Sequence, residues 1–283
     1  MAEITDIRPS PIAGQWYPGS AERLRTSIDG YMDAADLPAI DGDIMAIVAP
    51  HAGYVYSGPV AGHAFAAVRG QSPEMVAVIS PLHQPSPNAL FTSDHDAYKT
   101  PLGSVLIDKQ AVQDLDDRLK AELGFGLSNV RNDGEHSLEI ELPFLQRALA
   151  GEFKLLPVMV REQTEAITHA LGNALAQTLA QRDCLLVAST DLSHFYSQEI
   201  ANDFDETMLS LLESFDPEGF LKAEEEQKGF ACGRGAVAAI LWAAKELGAD
   251  KVKIVNYATS GDVSGDYSRV VGYGAAVIYK SNY

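Results

Sequence analysis

Short runs of apolar and β-branched residues recur along this chain, and the stretches between them return an apolar residue every three or four positions. The runs read as strands buried on both faces, and the intervening stretches as amphipathic helices. Strands that alternate with helices are joined by crossovers, which favours a largely parallel sheet covered on both sides. Strands are expected at residues 44–49, 75–80, 105–107, 154–160, 184–189, 252–258 and 270–279. Helices are expected at 21–34, 60–68, 109–123, 138–150, 162–181, 198–213, 217–227 and 235–247. Ser20 is placed to cap the first helix, and Asp216 to cap the helix that opens on Pro217. Two glycines in the last strand, VVGYGAAVIY, point to close backbone approach rather than to a nucleotide loop. With no linker-like stretch and no internal repeat, one domain over residues 1–283 is expected.

Composition narrows the class. A hydrophobic share of 46% with 21% charged residues excludes disorder and collagen-like structure. The 21 basic and 39 acidic residues leave a net charge of −18, which repels phosphate backbones and anionic bilayers. Neither nucleic acid nor membrane is expected as a partner. No apolar run approaches the roughly 18 to 20 residues of a membrane span, and the start MAEITDIRPSP lacks a basic segment followed by an apolar one, so a cytoplasmic protein is expected. Two cysteines are too few for a disulfide scaffold, and Cys184, in CLLVAS, reads as a buried and inert thiol.

The candidate chemistry lies in where histidines fall. His51 follows the run IMAIVAP, His83 follows VAVIS, and His194 follows CLLVAS, so three of the seven histidines sit just past expected strand ends. In open α/β sheets ligands bind at that edge, where loops and helix N-termini converge. If these strands are neighbours, spacings of about 5 Å bring the imidazoles within reach of one metal ion or substrate. Any one of them alone reads equally as a satisfied loop residue. Cys232, in GFACGRGA, precedes a helix beside an arginine, a setting that favours thiolate, or else it is a small packing residue. Gly233 and Gly235 either permit close backbone approach or bind an anion. Asp191 either orients a histidine or caps a turn. In DGEHSLE, Glu135 and His136 are either pocket groups or capping residues. His63 and His169, within helices, and His95, in an acidic loop, read as structural or solvated. There is no G-x-S-x-G elbow, P-loop or H-E-x-x-H helix, and Gly272-Tyr273-Gly274 lacks the rest of a dinucleotide fingerprint.

RPSPIAGQWYP, APHAGYVYSGPVAGHAF, the loop with His83, TPLGSV, NDGEHSLEIELPFLQ, STDLSHF, ACGRGA and YATSGDVSGDYSRVVGYGAA stand in an order that spans nearly the whole chain. On these pieces it resembles the Memo-like protein family, of the AmmeMemoRadiSam system protein B type. That family is similar in fold to the catalytic subunits of class III extradiol dioxygenases. The resemblance implies a three-layer αβα fold with a central, largely parallel but mixed sheet. It also implies a transition metal, Fe(II) with copper or zinc as alternatives, held by His51, His83 and Cys232. His194 would then move protons with Asp191 beside it, and His136 remains a further catalytic candidate. The dioxygenases use two histidines and a glutamate, so Cys232 would be a softer donor in the carboxylate's place. Ser80-Pro81-Leu82-His83 is a second departure, since the family more often starts this loop with glycine. The function expected is that of an oxygenase-like protein acting on a small substrate. The alternatives are a metal- or peptide-binding adaptor with a protein partner, and a hydrolase with Cys232 as nucleophile and His194 as base.

Overall fold

The structure, a computed structural model, describes residues 5–282. In chain order it forms β1 (Ile7–Arg8), α1 (Ala21–Asp33), β2 (Gly42–Ala49), α2 (Tyr54–Ala67), β3 (Met75–Pro81), β4 (Leu90–Ser93), β5 (Ala97–Thr100), β6 (Gly103–Leu106) and α3 (Lys109–Leu123). Next come β7 (Ser128–Val130), α4 (Glu141–Ala148), β8 (Lys154–Val160), α5 (Glu165–Leu179), β9 (Cys184–Ser189), β10 (His194–Tyr196) and α6 (Gln198–Glu213). The chain closes with α7 (Pro217–Glu225), α8 (Arg234–Glu246), β11 (Lys251–Thr259), α9 (Gly261–Ser264) and β12 (Val270–Ser281).

The main sheet has nine strands in the order β10-β12-β2-β9-β3-β8-β4-β7, with β11 paired to β12. Its centre is parallel: β2 runs with β9, β9 with β3, and β3 with β8. The flanking β12 and β4 are antiparallel to β2 and β8, so the sheet is mixed. Alternate residues of each central strand face opposite cores. Ala77, Ile79 and Val158 pack with α3, α5, α6, α7 and α8, whereas Val76, Val78 and Met159 pack with α1, α2 and α4. This is the three-layer αβα arrangement. The helices on each side bury the stripe that their spacing dictates, as Leu24, Ile28 and Met32 do on α1. Each such side chain contributes about 1.5–3 kcal/mol. A smaller sheet, β1-β5-β6, holds the N-terminal segment. No helix among the described residues is long and apolar enough to cross a membrane.

Strand and helix placement follows the sequence pattern closely, with two instructive departures. α2 begins at Tyr54, before the expected position 60, and contains Pro59. The carbonyl that this proline leaves unbonded belongs to Val55, which is 66% exposed and open to water. α4 begins at Glu141 rather than 138, because residues 138–140 are drawn into a turn in which Ile140 N donates to the His136 carbonyl at 2.9 Å. Asp216 caps α7 as expected, accepting from Gly219 N, but the Ser20 side chain makes no capping bond. Gly272 does mark a close approach, since a side chain there would collide with the Asp205 carboxylate.

Candidate functional site

Because β2, β9 and β3 are parallel neighbours, their C-terminal ends deliver His51, the Ser189–His194 segment and His83 to one edge. The segment Asp133–Ser137, leading into α4, adds His136. Ligating atoms of His51, His83 and His136 all lie within 4.8 Å of one another. The ring centroids are 5.4 Å apart for His51 and His83, 5.5 Å for His51 and His136, and 4.8 Å for the stacked His83 and His136. Trp16 covers His136 at 4.0 Å between centroids. His51 is buried, while the His83 side chain is 37% exposed and opens the cluster to solvent.

Glu135 organises two of the three rings. Its Oε2 accepts from His83 N at 2.6 Å, and its Oε1 accepts from His83 Nδ1 at 2.9 Å. The same Oε1 accepts the backbone N–H groups of His136 and Ser137. Burial by itself would raise this carboxyl. The bond and charge of His83, with the Ser137 and His83 backbone N–H groups, instead hold it well below the usual carboxylate range. Reciprocally, burial lowers His83 but its bond to Glu135 outweighs this and raises it.

His51 is set from behind. Ser189 Oγ lies 2.8 Å from His51 Nδ1, 2.6 Å from Glu141 Oε1 and 2.7 Å from the Ser137 carbonyl oxygen. The carbonyl can only accept, so the single hydroxyl proton goes there, and Ser189 Oγ must accept from the other two. That needs a proton on His51 Nδ1 and a protonated Glu141. Glu141 is fully buried, and burial pushes it well above its ordinary value. The lone pair of His51 is thereby left on Nε2, facing Cys232 Sγ at 3.2 Å. Burial lowers His51 strongly, helped by His136 and His83. His136 falls to about 4, chiefly by burial, with Glu135 opposing and His83 adding to the fall.

The structure places every sequence-derived candidate at or beside this edge, but reassigns several contacts. Of the two groups beside His51 and His83, His136 completes the tightest cluster; Cys232 joins it through His51. Cys232 does precede a helix, yet Arg234 pairs with Glu224 instead of the thiol. Burial, then the charge of Asp191, push the thiol up, against the thiolate expected from its position. Asp191 Oδ1 accepts from His51 N at 2.7 Å, so it fixes the loop after β2 and makes no bond to His194. Burial raises Asp191 to about 7, with the His51 and Ala52 backbone N–H groups opposing. His194 Nε2 is buried without a hydrogen-bond partner, and burial, aided by His83, lowers its ring to about 4. The histidine in contact with Cys232 is thus His51 rather than His194, so the base expected for a cysteine hydrolase is not the one beside the thiol. Gly233 and Gly235 serve close approach, and their N–H groups go to Thr190 Oγ1 and Gln163 Oε1, leaving no donors for an anion. Outside the site, His95 is buried against Asp6.

Sequence reasoning missed Ser189, Glu141 and Gln163. Gln163 Nε2 donates to the Cys232 carbonyl at 2.9 Å while its Oε1 accepts from Gly235 N at 2.6 Å, which clamps the cysteine loop to the end of β8. Its signal was available, because Gln163 lies three residues past a strand end, the same place that singled out the histidines.

An αβα protein with imidazoles and a thiol converging at the C-terminal edge of its parallel strands is the class these features define. The profile of the family described as Memo-like protein matches residues 8–277, and the chain belongs to that family. A MEMO1 family protein of Nitrosopumilus maritimus is 35% identical over 273 residues, covering 95% of this chain and 98% of its own. A second, from Methanopyrus kandleri, is 35% identical over 290 residues, covering 96% and 99%. The solved structure of an uncharacterized Escherichia coli K12 protein aligns with a TM-score of 0.46 at 12% identity, over 83% of this chain and 99% of that one.

Proposed function

We propose that the chain is a single-domain protein that holds one transition-metal ion among His51, His83, His136 and Cys232 and acts as a non-haem redox protein on a small substrate. The observation that carries this is the meeting of three imidazoles within 4.8 Å beside the Cys232 thiol. The donor chemistry fits a metal. Nδ1 of His51 and of His83 are each tied to a second residue, which leaves Nε2 free on both rings. Across an ion with bonds of about 2.0–2.1 Å, donors stand roughly 3 to 4 Å apart, so closure by about 1 Å suffices. Three nitrogens and one sulfur suit iron, copper or zinc, and we assign Fe(II). When bound, the ion would supply Lewis acidity and redox chemistry toward dioxygen.

The chain's own residues do the rest. His194, lowered to about 4 and therefore neutral at physiological pH, has an unpartnered Nε2 and takes the role of proton acceptor in this reading. Trp16 shields His136 from one side, and the exposed part of His83 leaves the entry. A net charge of −18 supports a small-molecule substrate over nucleic acid or an anionic membrane. A second reading, an adaptor, draws on Phe195, which is 62% exposed beside His194, and on Val55, 66% exposed four residues past His51.

Metal analysis of untagged protein purified without oxygen tests the proposal. One equivalent of metal is expected, lost on His51→Ala and retained on His194→Ala, with the latter losing most turnover, roughly 10² to 10⁴ in rate. Absence of metal from the untagged protein overturns the reading and leaves the adaptor.

A further inference from the structure

Beside the cluster stands a guanidinium that forms no ion pair among the described residues. Arg161 is the residue after β8. Pro81 and Val160 are register partners, Leu82 N donates to the Val160 carbonyl at 2.9 Å, and Arg161 N donates to the Ala89 carbonyl at 2.8 Å. Arg161 therefore stands across from Leu82, one residue before His83, on strands about 4.8 Å apart. Its charge also reaches the His83 ring, where it opposes protonation.

Five arginines are buried or half-buried: Arg8, Arg147, Arg161, Arg182 and Arg234. Arg8 pairs with Asp133 and Glu139, Arg147 with Asp29, Arg182 with Asp108 and Asp114, and Arg234 with Glu224. Arg161 alone has no ion-pair partner among the described residues, and its Nε is buried without any hydrogen-bond partner. A guanidinium cannot shed its proton to escape this, and its donors form a planar fork that matches a carboxylate or a phosphate. In a chain with 39 acidic residues, a half-buried arginine without an ion pair, one strand across from the residue before His83, is suited to receive an anion.

We propose that Arg161 receives the anionic group, carboxylate or phosphate, of a small organic acid whose other end meets the histidine cluster. The inference rests on the metal-site reading for that other end, and it names the substrate class of the same site. Arg161 would hold the acid by two parallel N–H···O bonds, which sets how the far end is presented to His83 and His194.

The test is calorimetric titration of metal-free and zinc-loaded protein with benzoate, phenyl phosphate and benzamide at fixed ionic strength. Wild-type protein should bind at least one of the two anions tenfold or more tightly than benzamide, and the better anion distinguishes a carboxylate from a phosphate. Arg161→Gln should erase the preference to within twofold, while Arg161→Lys keeps part of it. Equal binding of all three probes by wild-type protein, no binding of any, or an unchanged preference in a folded Arg161→Gln overturns the proposal. Zinc stoichiometry is read separately. Zinc bound without anion preference sinks this inference alone, and anion preference without zinc binding sinks the metal site alone.

Discussion

At the N-terminal edge of the parallel strands, polar groups are resolved into pairs. Asp108 caps α3 and stands 3.5 Å from both Lys154 Nζ and Arg182 Nη1. A cavity of about 470 Å³ there is lined by Glu74, Asp108, Glu152, Lys154 and Arg182 among others, and Cys184 opens β9 beside it. At the C-terminal edge the loops after β2 and β3 bring His51 and His83 together with His136 from the segment before α4 and Cys232 from the loop before α8, with a surplus of unmet bonds. Glu141 Oε2, Arg161 Nε, Ser193 Oγ and His194 Nε2 are four of the five buried side-chain atoms without a hydrogen-bond partner among the described residues. Each such atom costs about 1–3 kcal/mol. Cavity size does not single out the candidate edge; unspent hydrogen-bonding capacity does, of the kind a ligand can complete.

The comparison breaks most readily at Glu135. Glu135→Gln keeps the shape but puts an NH₂ group where two oxygens receive N–H donors from His83, His136 and Ser137. Metal affinity should fall about 10- to 100-fold, read by competition with a chromophoric chelator. Stability should drop by about 1–3 kcal/mol. A matching loss on disturbing the paired charges of the other edge, for example by Arg182→Gln, would show that the two edges do not differ in kind.

Asp191 gives the next effect. Its folded value of about 7 lies above the ordinary aspartate value, so the folded state binds more protons than the unfolded one across roughly pH 4 to 7. This term makes stability fall as pH rises through that window. His136 and His194, lowered to about 4, act in the opposite sense, with stability lost as pH falls from about 6.5 toward 4. Asp191→Asn removes only the first term. In urea titrations of metal-free protein, the variant should therefore gain more stability than wild type between pH 5 and 7, by at most about 2 kcal/mol. Parallel pH profiles would mean that Asp191 is ionised throughout.

Much of this contrast was legible in the chain. The histidines past strand ends were visible because each follows an apolar run that only a buried strand explains. Lys154–Val160 and Cys184–Ser189 match the expected bounds residue for residue, since Lys154 and Arg161 frame one apolar run and Asp183 and Thr190 the other. The short strands Leu90–Ser93 and Ser128–Val130 carry too few apolar residues to announce themselves and form by pairing at the sheet margin. What the sequence hides is which polar groups find each other. His136 enters the cluster because Glu135 folds its own loop back through three N–H groups, and no spacing rule encodes that. Likewise, the expected thiolate at Cys232 depended on an arginine that in three dimensions belongs to Glu224.

The smallest effects separate the two cysteines. Both are partly buried and both thiols are raised, Cys184 to about 11 by burial and then by Asp183, with Arg182 opposing, so acidity does not distinguish them. Surroundings do. Cys232 Sγ lies 3.2 Å from a histidine nitrogen whose lone pair faces it, and it accepts from Asp191 N at 3.3 Å. Cys184 packs against the apolar core under α3, α5 and α8. A cation at the cluster would supply the positive charge that deprotonates Cys232, whereas nothing at the other edge favours a thiolate over a thiol. Cys232→Ser should therefore lower metal affinity about tenfold or more with a change in stability below about 1 kcal/mol, because the volume barely changes while a hydroxyl ligates poorly. Cys184→Ser should leave metal affinity within about twofold of wild type and cost about 1 kcal/mol or less, from placing a hydroxyl beside an apolar cluster. Chelator competition and urea unfolding on the two variants side by side decide it. Equal metal affinities would place both thiols in packing roles and confine the site to its three histidines.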